Sequence, residues 1–129
     1  MAMRQRTCLL LAGVGGFTAV GIGAFAAHGL REIVSPDLLA TFEIGVRYHA
    51  YHALALLGLA AVVERLGKPG GVAAWSFAAG VAIFSGSLYL LALTGQRWLG
   101  AITPIGGVLF LIGWIAVFVG AWRLRDDAR

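Results

Sequence analysis

The sequence predicts an all-α fold, an integral membrane antiparallel four-helix transmembrane bundle, and three observations carry that expectation. Hydrophobic residues make up 60% of the 129-residue chain and charged residues only 12%, with a mean hydropathy of +0.86, whereas soluble domains carry roughly 25% charged residues. Thr7 to Ala27 and Val72 to Leu93 run without a single charge, each long enough for a helix to cross about 30 Å of hydrocarbon. The ten Lys and Arg gather at the ends of such runs, where they set topology. The formal charge of +4 and pI near 10 therefore do not point to nucleic acid, and no basic patch with interleaved aromatics is present. The lone Cys8 excludes an intramolecular disulfide and reads as a buried thiol.

Taken in order, residues 7–27 form the first span. A cleavable signal peptide is the rival reading, since Arg4 and Arg6 precede an apolar run ending in Ala24, Ala26 and Ala27, but signal cores are only about 7 to 15 residues long. Gly15, Ala19, Gly23 and Ala27 recur every four residues, a smooth stripe on which another backbone can come close. Ser35-Pro36-Asp37 supplies a cap and a first helical proline, so a second helix starts near residue 36 and can continue to Leu66, with its span over 44–63. Gly67-Lys68-Pro69-Gly70-Gly71 reads as a turn. The third span, 72–93, has its own stripe of Ala74, Ala78, Ala82 and Gly86, which predicts that helices one and three pack together. Thr103-Pro104 is a cap signal for a helix running to Trp122, within a fourth span over 99–122. Gly106, Gly113, Ala116 and Gly120 on this helix leave room for a homo-oligomer.

Orientation follows from the cations. Arg4, Arg6, Arg65, Lys68, Arg123, Arg125 and Arg129 fall on one side of a four-span chain, and Arg31, Arg47 and Arg97 on the other. The richer side faces the cytoplasm, which puts both termini of a multi-pass chain inside.

The densest chemistry lies in Thr41 to Leu56. On a helix, Glu43, Arg47 and Tyr51 share an arc of about 80°, with Thr41, Tyr48 and His52 on the adjoining arc and His49 turned elsewhere. If residue 44 marks the outer boundary, Arg47 lies about 5 Å and His52 about 12 Å below it. Ser87 of helix three and Thr103 of helix four come at depths similar to that of Arg47, with His28 at the outer end of helix one and Ser85 and Tyr89 of helix three in the same outer half. Because Arg at the centre of a lipid-facing helix costs about 2.5 to 3.5 kcal/mol, these residues are expected to meet in one cluster in the outer half of the membrane, closed as a structural clamp or lining a small pocket. A Glu43–Arg47 pair alone, worth about 0.2 to 0.5 kcal/mol on an exposed helix, would not offset that cost.

Other chemistries remain to be weighed. His49 and His52 could touch one metal with Glu43 or His28, and Glu43, His52 and the tyrosines could relay protons in a transporter. A nucleophilic site would need Ser85 or Ser87 with His52 and Glu43, but the GxSxG elbow does not occur. The glycines of the first span lie in an apolar run and are packing residues, not a phosphate-binding loop. No catalytic residue, metal or cofactor is assigned on this basis, and lipid is the one certain partner.

At GAFAAHGL (Gly23 to Leu30), TFEIGVRYHAYHALAL (Thr41 to Leu56), FSGSLYLLALTG (Phe84 to Gly95) and WLGAITPIGG (Trp98 to Gly107) the chain resembles domain-of-unknown-function family 423, small bacterial membrane proteins related to transmembrane protein 256. The likeness is close to full length. It implies a four-span inner-membrane protein and brings no established activity. Two departures stand out: Ala26 occupies a place where glycine is commoner, and His49 stands at a variable position. His28, Glu43, Arg47, Tyr51 and His52 are then the matching polar set. The resulting expectation is a non-enzymatic membrane protein, with a small-molecule, ion or proton transporter or channel component as the alternative and a membrane enzyme or metal-binding protein third.

Overall fold

A computed structural model describes residues 2–125, and these are all-helical, with no strand among them. Arg129, counted above in the tail, lies outside the described residues. Helix α1 spans Gln5–His28, and a 3-10 turn at Leu30–Glu32 leads to α2, Pro36–Ala60. A single turn, α3, covers Val63–Leu66. Helix α4, Lys68–Gly80, passes through a π-helical segment at Val81–Ser85 into α5, Gly86–Thr94, making one rod of 27 residues. A 3-10 turn at Arg97–Ala101 delivers the chain to α6, Thr103–Arg123.

Three of these units, Gln5–Glu32, Lys68–Thr94 and Arg97–Arg123, are long and apolar enough to cross a membrane. Helix α2 has the length, with 25 residues, but Glu43, Arg47, His49 and His52 dilute its apolar character. In hydrocarbon every backbone polar group needs a partner within the segment, which favours uninterrupted helices for such runs.

Local signals account for most helix ends. Ser35 Oγ accepts from the Leu38 N–H at 3.3 Å, with Pro36 at the first helical position, as the sequence predicts. Gly95 ends α5 in the left-handed conformation (φ 72°, ψ 7°). Three expectations are corrected. The second helix does not run unbroken to Leu66. Ala61 and Val62 donate to Gly58 and Leu59, three residues back, and tighten α2 to a stop that no Gly or Pro announces. Of the expected turn at residues 67–71 only Gly67 (φ 63°, ψ −132°) is outside a helix, and Gly70 sits in the first turn of α4, where a Cβ would strike the Val63 carbonyl. Thr103 does not cap α6 with its side chain. The Gly67 backbone lies where essentially only glycine is comfortable, so Gly67→Ala should lower stability by about 1–3 kcal/mol. Thermal unfolding in detergent checks this, with the open position Gly86→Ala as a near-neutral reference.

The packing order also differs from expectation. Helix α1 packs chiefly on α2, and α4 chiefly on α6. The α1 stripe serves the first contact: Gly15 lies against Ala53 and Gly23 against Val46. A groove separates α1 from the third rod, with Ala78 and Ala82 on its wall. The glycines of α6 serve the second contact. Gly106 is covered by the Phe84 backbone, Gly113 by the Phe77 ring, and Gly120 by Leu66 and Pro69. These residues, expected to leave room for a second copy, are filled by the chain's own α3–α4 side. The reason is size: each large side chain finds a small residue opposite it, so the α1 and α6 stripes are used on their nearest neighbours.

Two apolar clusters result. One gathers Cys8, Leu56, Val63, Leu66, Phe77 and Phe110, and the other Ala26, Leu30, Phe42 and Ala92.

Candidate functional site

The buried seam of α2 is Phe42, Gly45, His49, His52, Ala53 and Leu56, a helical 3–4 spacing that places Glu43, Arg47 and Tyr51 on other faces. Both histidines are enclosed, at 5% and 4% exposure, whereas Tyr51 is 53% exposed and Glu43, Arg47 and His28 are exposed. The residues expected to form one cluster are therefore divided. Charged Glu43 and Arg47 stand on the exposed face of α2, and hydrogen-bonding groups without a fixed charge occupy the interior.

His49 is the hub of the first interior group. Its Nε2 lies 3.0 Å from Thr18 Oγ1 on α1, and its Nδ1 lies 2.9 Å from the Tyr89 hydroxyl on α5. Thr18 donates its one hydroxyl proton to the Val14 carbonyl at 2.8 Å, which leaves it to accept from His49 Nε2–H. Tyr89 O–H then donates to Nδ1. Beside this chain, Ser85 Oγ donates to the Gly45 carbonyl at 2.7 Å. Gly45 makes room for the Tyr89 ring, since a Cβ there would lie 2.8 Å from it. The π-helical segment ends at Ser85; such segments shift the register of the residues that follow and recur at functional places in helices.

His52 forms the second group. Its Nδ1 lies 2.7 Å from the Tyr48 carbonyl, and the Trp114 indole N–H donates to its Nε2 at 3.1 Å. A carbonyl only accepts and an indole only donates, so these partners assign a neutral ring protonated at Nδ1. The imidazole stacks on Phe110 with centroids 3.6 Å apart and planes 7° apart, and Phe77 lies at 5.3 Å. Tyr48 belongs here through its ring, 4.8 Å from that of Phe84.

A third contact joins the rod to α6: Ser87 Oγ and Thr103 Oγ1 are 2.6 Å apart, and Ser87 also donates to the Phe84 carbonyl at 2.9 Å. Thr103 can then donate to Ser87, and its hydroxyl is engaged between helices instead of at a helix start.

Among the described residues, every fully enclosed side-chain nitrogen and oxygen atom has a hydrogen-bond partner, and no three His, Cys, Asp or Glu converge as a metal site would require. The geometry can hold helices together and fix two imidazole tautomers. One opening touches it: a groove of about 250 Å³ between α1 and the third rod, apolar except where Thr18 and His49 reach its wall. Sequence reasoning missed Thr18, Trp114 and the central role of His49. The signal for His49 was its place in the small and apolar stripe with Gly45 and Ala53.

An all-helical chain with three apolar membrane-length helices and a closed interior of hydrogen-bonded histidines is a small membrane protein. It belongs to the family described as protein of unknown function DUF423, whose match covers residues 22–107. It is 45% identical to the UPF0382 membrane protein YwdK of Bacillus subtilis, over 91% of this chain and 97% of that one. Its identity to the UPF0382 membrane protein of Staphylococcus epidermidis is 43%, over 92% and 98% of the two chains. To the UPF0382 inner membrane protein YgdD of Escherichia coli strain K12 it is 40%, over 95% of each. No solved structure matches the chain.

Proposed function

We propose that the chain is a non-enzymatic, four-span inner-membrane protein whose interior polar groups act as clamps between helices. The observation that carries this reading is that every fully enclosed side-chain nitrogen and oxygen among the described residues has a hydrogen-bond partner: an interior that binds a polar substrate needs a polar group left over for it, and an interior that only holds helices together does not. The antiparallel arrangement is supported by the order of contacts. Gly15 meets Ala53 while Gly23 meets Val46, and Gly120 meets Leu66 while Gly106 meets Phe84, so contacts descend one helix as they ascend its neighbour. Helix α2 crosses as the fourth span because its polar residues are either hydrogen-bonded inside or carried on its outer turns. Both termini face the cytoplasm in this arrangement, and labelling single cysteines placed at residues 2 and 125 in intact cells should reach neither of them.

The clamp reading is tested by function and stability together. Proteoliposomes containing the purified protein should hold a proton or cation gradient as long as empty vesicles do, and Tyr89→Phe should lower the unfolding temperature through the lost bond to His49, worth about 0.6 kcal/mol and at most about 1.7 by membrane-protein precedent. A gradient dissipated by the wild type and retained by Glu43→Gln or His52→Ala would instead establish transport. The groove beside Thr18 and His49 is the observation that keeps this second reading.

A further inference from the structure

We propose that the groove between α4 and α6 binds one anionic two-chain phospholipid, with its phosphate at Lys68 and Arg123. The groove has a volume of about 350 Å³, and among the described residues Lys68 and Arg123 are the only ionisable ones on its wall; Val72, Ile112, Ile115 and Val119 are among the apolar ones. The two cations are far apart in sequence, one opening α4 and the other closing α6. They come to one end because Gly120 packs on Leu66 and Pro69. From Arg123 to Ile112 a helix advances about 16 Å, close to the depth of one leaflet of a hydrocarbon layer about 30 Å thick. The groove thus has the polarity of a lipid: cations at the surface end and an apolar floor running inward for the length of an acyl chain.

A second hollow of about 310 Å³, lined by Phe118, Val119, Trp122 and Arg123, meets the first at Val119 and Arg123. A lipid whose phosphate sits at Arg123 can lay one chain on each side of Val119. Charge selects the headgroup, since a zwitterionic lipid offers a compensating cation where Lys68 and Arg123 already stand. The proposal rests on α4 and α6 crossing the bilayer.

Native mass spectrometry of the protein in a neutral detergent tests it, with phosphatidylglycerol and phosphatidylcholine of identical chains as probes. Wild type is expected to retain phosphatidylglycerol the more tightly, by about five-fold per cation and about thirty-fold for the pair. Lys68→Gln/Arg123→Gln should erase the preference, while Lys68→Arg and the opposite-end variant Arg97→Gln keep it. Val119→Trp, which fills the ridge between the hollows, should weaken both lipids without removing the cations. Excess inorganic phosphate should leave the adduct in place. Equal retention of the two lipids by wild type, an unchanged preference in the double variant, an unaltered affinity in Val119→Trp, or displacement by phosphate would each overturn the site. An unfolding temperature measured on every variant separates a lost site from a lost fold, so a negative result leaves the four-span reading standing.

Discussion

Gly106→Ala should cost about 3 kcal/mol of stability, at the upper end of what overpacking usually does. A Cβ at this position would meet the Phe84 backbone, 2.7 Å from its Cα and closer still to its nitrogen. A crowding side chain can rotate away; a backbone inside a π-helical segment cannot, so α6 must move off the rod and take the Ser87–Thr103 bond with it. The neighbouring Gly107→Ala is the control. Its Cβ would approach nothing nearer than the Phe84 ring at 3.9 Å, and the helix gains about 0.5–1 kcal/mol in propensity when glycine is replaced. Unfolding followed by size-exclusion profiles across a temperature series should separate the two by many degrees. Equal midpoints would show that the α6 contact is looser than described.

The second large effect is expected at His52→Ala, about 3 kcal/mol destabilising. Removing the ring leaves a cavity against Phe110 and Phe77, of the kind that costs about 2–5 kcal/mol for large-to-alanine changes, and it strips the Trp114 N–H of its acceptor. Glu43→Gln and Arg47→Gln, on exposed positions, should stay within about 0.5 kcal/mol of wild type. The sequence suggests instead that Glu43, Arg47 and His52 stabilise the bundle together as one cluster. Tryptophan emission of the folded variants, measured alongside unfolding, helps assign the effect, because Trp114 donates its indole N–H to His52.

Much of the architecture is legible in the sequence. Charge-free runs of membrane length marked helices one, three and four, Ser35-Pro36 marked the start of α2, and of the small-residue stripes Gly15 and Gly23 meet α2 while Gly86 faces open space and Ala78 and Ala82 line a groove. Their partners were not legible. Two stripes of similar spacing suggest a match, but a glycine is satisfied by whatever large group lies opposite, and here Val46, Phe77, Phe84 and Leu66 fill the gaps left by Gly23, Gly113, Gly106 and Gly120. The π-helical segment has no sequence signature that periodicity detects, and it sets the heading of the residues after it. The polar residues were found, yet their grouping went astray for an energetic reason. Charge need not be buried and paired to be tolerated on a helix of this kind. Charges near the boundary can reach outward, whereas His49, His52, Ser85 and Thr103 hydrogen-bond well enough indoors to take the interior. The stripe of Phe42, Gly45, His49, Ala53 and Leu56 was visible in the sequence and was the better guide to the inward face of α2.

The lipid site and the clamp lie in different parts of the molecule and fail independently. Lys68 and Arg123 mark the end where α4 begins and α6 stops, while the His49 and His52 groups lie deeper, so variants of one should leave the other unchanged.

The central claim is that the two buried histidines are neutral structural linkers with their tautomers set by neighbours. Solid-state nitrogen NMR of protein labelled at the imidazole nitrogens, in bilayers at neutral pH, reads this directly. The partners described here predict one ring protonated at Nε2, His49, and one at Nδ1, His52, with assignment by loss of each signal in His49→Gln and His52→Gln. A doubly protonated ring, or both rings in the same tautomer, would contradict the account.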